Sequence, residues 1–506
     1  MRRTIDPGGI AVAACYVRCD DVQGLGRALL QSRPVGVRDV HPVFTTIAVT
    51  WDPDRIDRDA VVDWIRAARP AAAGRPREVR LPVRYDGADL AEVAVAAGLA
   101  IDDVTRLHAA PDYDVVTVGA LPGQPFLSPN DPALRLPRRP NPRVALPAHS
   151  VAIAMHLTTV YPTGSPGGWS IVGTALKALY DPHRPEPFLL AAGDRVRLVA
   201  SDGVTPSPIS PVELLPPAPR LPALRVDEPG LLDLVVDAGR FGEAHDGMAE
   251  SGPADRPAAL LANALVGNPA GTPLVEMTLS GPQFTALRPL VVACAGVGGA
   301  LEIDGEVVGW KTVRVAAGAR LRVRGTNRGA RSYLAVAGGI EVRRVLGSAS
   351  TDIRGLLGRA LVAGDVLGVA ADQVPAARLT ARPAAPDPGR PIRILPGPQF
   401  DAEAFDALCA GSFTVGVGDR VGVRLDGPPV PGGEILSESP PLGALQVTPA
   451  GVPIILLADR LRTAGYTKPA VVHPADIGRV AQFRAGDPVS FVAVPAPPHG
   501  WYLDLT

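Results

Sequence analysis

Alternation of apolar and polar residues dominates this chain, and three times a Gly-Asp pair opens it: AGDRVRLV at 192–199, AGDVLGVA at 363–370 and AGDPVSFV at 485–492. Glycine supplies the left-handed backbone of a tight turn, aspartate bonds the turn amides, and the alternating residues beyond it make a half-buried strand. Three such closing strands predict three related β-rich units. A second echo agrees: 151–153 leads to PGGWSIV at 166–172, and 445–447 leads to TAGY at 463–466, each a strand, a glycine loop and an aromatic.

Ahead of these units the texture changes. Strand patterns at 10–18, 36–40, 45–51 and 78–84 alternate with helical ones at 20–31 and 57–68, where Val61, Val62, Ile65 and Ala68 share a face. That order, βαββαβ, is ferredoxin-like. Helices are also expected at 88–97, 102–109 and 253–266, the last capped by Ser251 or Asp255 and stopped by Gly267. Pro-rich stretches without period, 203–222 and 371–391, read as linkers. The expected organisation is an α+β domain at 1–85, a β-barrel at 86–202, a linker at 203–222, a second β-barrel at 223–372, a linker at 373–390 and a third barrel unit at 391–506. The fold class is mainly β.

Composition sharpens this picture. The 54 glycines and 55 prolines make 109 of 506 residues, well above the roughly 12% of ordinary usage. Hydrophobic residues at 46% exclude disorder as the reason, so turns are. A net charge of −1 without long runs of one sign removes the counterion-release term that drives nucleic-acid binding. Met1-Arg2-Arg3 and 10–17 imitate a secretory leader that Asp6, Pro7 and Gly8-Gly9 interrupt, and no run is long enough to span a bilayer. Four cysteines without a Cys-x-x-Cys pair suit a reducing compartment and no structural metal. The expectation is a cytoplasmic protein with no nucleic-acid or membrane partner.

Several chemistries lack their motifs. There is no Gly-x-x-x-x-Gly-Lys-Ser/Thr phosphate loop, no Gly-x-Ser-x-Gly elbow, no His-Glu-x-x-His and no Gly-x-Gly-x-x-Gly opening a helix. A Met-Lys-Met biotin attachment segment is missing too. An activated group used here must come from elsewhere.

Positive motifs are found at 119–173: Pro122-Gly123, Pro137-Arg138-Arg139, Pro142-Arg143, and Tyr161-Pro162 before Ser165-Pro166-Gly167-Gly168-Trp169, with His108 and Tyr113 upstream. This segment resembles the B subunit of bacterial ATP-dependent 5-oxoprolinase, the allophanate hydrolase subunit 1 family. From Pro229 onward, Asp237-Ala238-Gly239-Arg240, Leu265-Val266-Gly267-Asn268-Pro269, RSYLAVAGGI at 331–340, Ser350-Thr351-Asp352 and PIILLADR at 453–460 resemble the C subunit, the allophanate hydrolase subunit 2 family. The resemblance implies a natural B–C fusion with cyclophilin-like barrels. It further implies lactam opening of 5-oxoproline to glutamate with ATP, with magnesium, as co-substrate of a complex that includes a separate A-type protein, and no covalently bound cofactor. The same paired units form the carboxyl-transfer part of urea carboxylase, and the B-type family includes an inhibitor of a sporulation histidine kinase. A homo-oligomer is also compatible.

The expected catalytic residues are Arg139 and Arg143, whose guanidinium forks suit a carboxylate or phosphate, with Asp237, Asp459 and Lys468. Pro122, Gly123, Tyr161, Pro166, Gly167, Gly168, Trp169, Arg240 and Tyr466 are expected to bind substrate in a hollow shared by the two halves. Asp237 and Arg240 could pair to order the loop 242–252. Glu276 is expected to face solvent, Asp352 to cap local backbone, and His108 to be a satisfied helix-end histidine. Departures from the family accompany these matches. His149 and Met155-His156-Leu157-Thr158 stand where relatives have small glycines and Gln-Thr, Gly173-Thr174-Ala175-Leu176 replaces Gly-Arg-Thr-Pro, and 461–467 lacks the usual glutamine. Glutamine reads a lactam through paired donor and acceptor, which leucine cannot. These changes predict a kept fold with an altered substrate or weakened activity.

Overall fold

The computed structural model describes residues 13–72, 74–139, 143–372, 379–381, 389–495 and 500–505. Most of the expected 373–390 linker, the leader-like start and Pro142 lie outside them. The βαββα order is as read: strand Ala14–Arg18, helix Val22–Gln31, strands Val37–Val43 and Thr46–Trp51, helix Arg58–Ala67. Asp21 and Asp57 cap the helices, each accepting from the amide three residues on. The sixth element departs from the ferredoxin-like expectation. Strand Glu78–Arg84 leaves the sheet, and Tyr502–Asp504 from the far end of the chain takes the edge, parallel to Ala14–Arg18.

Glu78–Arg84 is instead a stave of a closed barrel with Arg195–Ala200, Asp112–Val118, Pro125–Ser128, Leu157–Val160, Ser150–Ala154 and Ser170–Ala175. Inward-facing residues such as Leu81, Val83, Tyr113, Val115, Val151 and Ile153 fill it, and helices Leu90–Ala97 and Ile101–Ala109 pack on it. His108 has both ring nitrogens engaged, by Tyr85 Oη at 2.9 Å and Thr158 Oγ1 at 3.0 Å. Its satisfied role is as expected.

The next unit is two sheets facing across one core rather than a closed barrel. One holds Pro222–Glu228 and Val366–Gly368, the other Leu274–Thr278, Leu290–Ala295 and Arg331–Val336. Helix Arg256–Leu265, capped by Asp255, covers the second sheet. The last unit is one large sheet around Ile394, Leu445, Ile455 and Val472. The three Gly-Asp turns share one chemistry. Gly193, Gly364 and Gly486 have φ of 92°, 92° and 88°. Each donates 2.8 Å to a valine carbonyl, of Val115, Val226 and Val415. Asp194, Asp365 and Asp487 each accept from the amide three residues back, at 2.9, 2.8 and 2.7 Å. Among the described residues no helix is long and apolar enough to cross a membrane.

Candidate functional site at the junction of the two halves

Loops from both halves meet on strand Val37–Val43. Asp39 accepts from the amides of Gly242 at 2.7 Å and Ala244 at 3.3 Å, and its other oxygen faces Arg462 at 3.3 Å. Gly123 donates to the Asp246 carbonyl at 2.8 Å. A Cβ on Gly247 would lie 2.2 Å from the Leu121 carbonyl oxygen, so the 119–124 and 240–252 loops touch backbone to backbone. Gly123 is therefore an interface residue, and Pro122 lies buried in the same loop. Ala120, Ser251, Leu346 and Leu356, in loops converging here, hold φ of 64°, 53°, 50° and 53°. Left-handed backbone costs a residue with a Cβ about 1–2 kcal/mol, and such strain concentrates at functional sites.

Arg139 and Arg143 do not offer open forks. Both reach Asp89, a buried carboxylate at the start of helix Leu90–Ala97: Arg139 at 2.9 Å, Arg143 through both terminal nitrogens at 2.6 and 2.5 Å. Asp89 also accepts from the Ile171 amide at 2.8 Å, and Arg139 N donates to the Gly168 carbonyl at 2.7 Å. Burial alone would raise the Asp89 carboxyl, but Arg143, the Ile171 amide and Arg139 hold it below its ordinary value. The two arginines thus position the Gly167-Gly168-Trp169 loop. Their neighbour Arg138 instead reaches toward Glu434 at 3.8 Å and Gly465.

Trp169 and Tyr466 belong to segments that meet at the seam between the halves. Trp169 packs with Tyr161, Phe126 and Leu146, and Leu461 from the last unit lies against this cluster. Tyr466 follows Gly465 on strand Ala464–Val472 and pairs in register with Glu434. A Cβ on Gly167 would meet the Tyr161 hydroxyl at 2.7 Å. Pro166 sits exposed in strand Ser165–Gly167. His149 and Met155 have φ of 67° and 52°.

In the second half the signature motifs converge on buried charge. Asp237 does not pair with Arg240. It accepts from Ser348 Oγ, Ser350 Oγ and the Ala349 amide at 2.6–2.8 Å and pairs with Arg344 at 2.8 Å. Arg240, wholly buried, donates to the Ser350 carbonyl at 3.0 Å and faces Asp352 at 3.8 Å. Asp352 caps Gly355 as expected, and burial, reinforced by Asp459, pushes its carboxyl up. Asp459 holds Arg420 through two oxygens at 2.8 and 3.0 Å, and Arg420 continues to Glu276. Glu276 is 1% exposed, which overturns the solvent-facing expectation. It also accepts from Tyr333 Oη and the Ala254 amide at 2.8 Å. The strand alternates as read, but its polar position faces Arg420 of the last unit instead of water.

Lys468 is fully buried, donating to the Tyr466 carbonyl at 3.3 Å with Glu438 at 3.7 Å. Burial lowers its ammonium from the ordinary 10.5 to about 8, opposed by Glu438. Between those values the unfolded chain binds the extra proton, so this group adds stability as pH rises. Relative to Lys468→Met, the wild type should gain up to about 3 kcal/mol from pH 8 to pH 10.5. Denaturant unfolding of both proteins across that range checks it, and parallel curves would reject it.

Among the described residues no group of His, Cys, Asp and Glu is placed to hold a metal ion. Known proteins share both halves of this arrangement. Carboxyltransferase-domain subdomains C and D match residues 13–190, and subdomains A and B match 246–493. The 5-oxoprolinase C subunit of Escherichia coli (strain K12) is 35% identical over 285 residues, 53% of this chain and 90% of that protein.

The chain belongs to the carboxyltransferase-domain family, with homologues of the B and C subunits of 5-oxoprolinase fused in one polypeptide.

The 5-oxoprolinase B subunit of Escherichia coli O157:H7 is 40% identical over 153 residues, 29% of this chain and 70% of that protein. The crystal structure of TTHA0988 is 48% identical, covers 95% of this chain and 99% of its own, and superimposes with a TM-score of 0.91. This B–C fusion therefore has a solved counterpart of nearly full length. The sequence singles out none of Arg138, Asp89 and Arg420, and it places Glu276 in solvent where the structure buries it. Arg138 stands in the Pro-Arg-Arg motif, and nothing in the adjacent residues distinguishes it from Arg139.

Proposed function

We infer that this chain is the fused B–C component of an ATP-dependent 5-oxoprolinase-like amide hydrolase. It works with a separate A-type protein to convert 5-oxoproline, ATP and water to glutamate, ADP and phosphate. The observation that carries this reading is that segments matching the two subunits meet through a buried, charged and strained junction. An amide resists attack until its resonance is broken, and fixed guanidinium and backbone N–H groups stabilise the negative charge that develops. Asp89 with Arg139 and Arg143 would hold the glycine loop beside the substrate, Trp169 and Tyr161 would wall the cleft, and the partner would contribute the nucleotide chemistry. Arg240, Asp352 and Asp459 would set the field at the far side.

The test is 5-oxoproline-dependent ADP release by the chain mixed with its A-type partner. Turnover requiring both proteins is expected, reduced where His149, Met155 and the lost glutamine alter the cleft. Full release without this chain would end the reading. The matched family description favours a second reading, transfer of a carboxyl group to an amide nitrogen. Carboxylation of an amide nitrogen by the same mixture supplied with carboxybiotin, with release of free biotin, would support it.

A further inference from the structure

Arg138 is the arginine of the cleft whose charge is least committed. Among the described residues its buried Nε has no hydrogen-bond partner, and its one ion pair is the 3.8 Å approach to Glu434, whose side chain is 47% exposed. Such a long, solvent-screened pair contributes little. Arg139 and Arg143, by contrast, are fastened to Asp89 at 2.9 Å or less. The backbone around Arg138 is trimmed to admit it. A Cβ on Gly465 would stand 3.3 Å from both terminal nitrogens and 3.0 Å from Ser437 Oγ. Arg138 comes from the first half, and Glu434 and Gly465 from the second, so the arrangement exists only where the halves are joined.

We propose that Arg138 is the specificity-determining residue of this cleft, binding the carboxylate of a small anionic amide, with Glu434 as the built-in competitor that the substrate displaces. This rests on the cleft being the substrate site of the proposed reaction, but it concerns only which molecules the cleft accepts. A fixed guanidinium fork matches a carboxylate with two donors. A neutral lactam offers it one carbonyl oxygen and no charge. Glutamate at 434 is only a weak competitor, because a half-exposed carboxylate 3.8 Å away costs an incoming carboxylate little to displace.

The experiment is calorimetric titration of the full chain, alone and with its A-type partner, with three probes. These are L-5-oxoproline, cyclopentanecarboxylate, which has the charge without the lactam, and 2-pyrrolidinone, which has the lactam without the charge. Wild type should bind the two carboxylates about tenfold or more tighter than 2-pyrrolidinone, the value of a charge-assisted hydrogen bond. Arg138→Ala should erase that preference, and Gly465→Ala should weaken carboxylates by crowding the fork. Glu434→Gln should tighten carboxylates several-fold, an opposite sign that a merely structural role would not give. The inference is overturned if Arg138→Ala keeps the preference, if Glu434→Gln weakens carboxylate binding, or if wild type binds no carboxylate. Carboxylate preference without ADP release would retire the proposed reaction and leave the anion site standing.

Discussion

Glu276→Ala is expected to lower the melting temperature of the chain by roughly 3–5 °C, the equivalent in a chain of this length of about 3–5 kcal/mol for breaking a buried ion pair. Glu276 is 1% exposed, and its carboxylate serves Arg420, Arg331, the Tyr333 hydroxyl and the Ala254 amide together. Alanine would leave two almost fully buried guanidinium groups short of a counter-charge, and of the two Arg420 retains another, in Asp459. Burial by itself would raise the Glu276 carboxyl, yet Arg420 and Arg331 hold it below the ordinary range. Its contribution should therefore be present above the ordinary carboxylate pKa and lost as pH falls through the lowered one. Arg420 comes from the last unit and Glu276 from the one before, so calorimetry should show their unfolding separating into two steps. A single unshifted transition would contradict this account.

Asp89→Asn should have the second largest effect, about 3 kcal/mol, near the lower end of the buried-pair range because Arg139 and Arg143 are 27% and 30% exposed and can recover some hydration. The consequence reaches beyond stability. Asp89 accepts from the Ile171 amide and holds the side chain of Arg139, whose backbone amide donates to the Gly168 carbonyl, so the carboxylate bonds one end of the Gly168–Ile171 turn that presents Trp169 and anchors the residue that bonds the other. Turnover by the complex should fall at least tenfold, because misplacing a positioned group by about 1 Å is enough for that. Thermal unfolding alongside ADP release checks both halves of the expectation. Loss of stability with unchanged turnover would confine Asp89 to a structural part.

Local features of this molecule were legible because they are written in adjacent residues. The Gly-Asp turn needs only a left-handed glycine and an aspartate that bonds back three residues, and it recurs at Gly193, Gly364 and Gly486. The βαββα order follows from periodicity and from the caps Asp21 and Asp57. Partners distant in sequence were not legible. Nothing near Glu276 announces Arg420, 144 residues later, and nothing near Ala14–Arg18 announces that Tyr502–Asp504 displaces Glu78–Arg84 from its side. In the arginine motif, residue type was readable, but direction was not. Asp89 claims Arg139 and Arg143, leaving Arg138 to the cleft.

The strand Tyr502–Asp504 has a mechanical meaning. The 203–222 segment ties the halves covalently, and this strand ties them again by laying the end of the second half into the first half's opening sheet, where Arg18 rests 3.7 Å over the Tyr502 ring. A hinge swings freely about one pivot; two separated tethers restrain it like a door fastened along both edges. Motion that admits or releases a small molecule must therefore come from the loops at the seam, and separately expressed halves would still carry a non-covalent grip for finding one another.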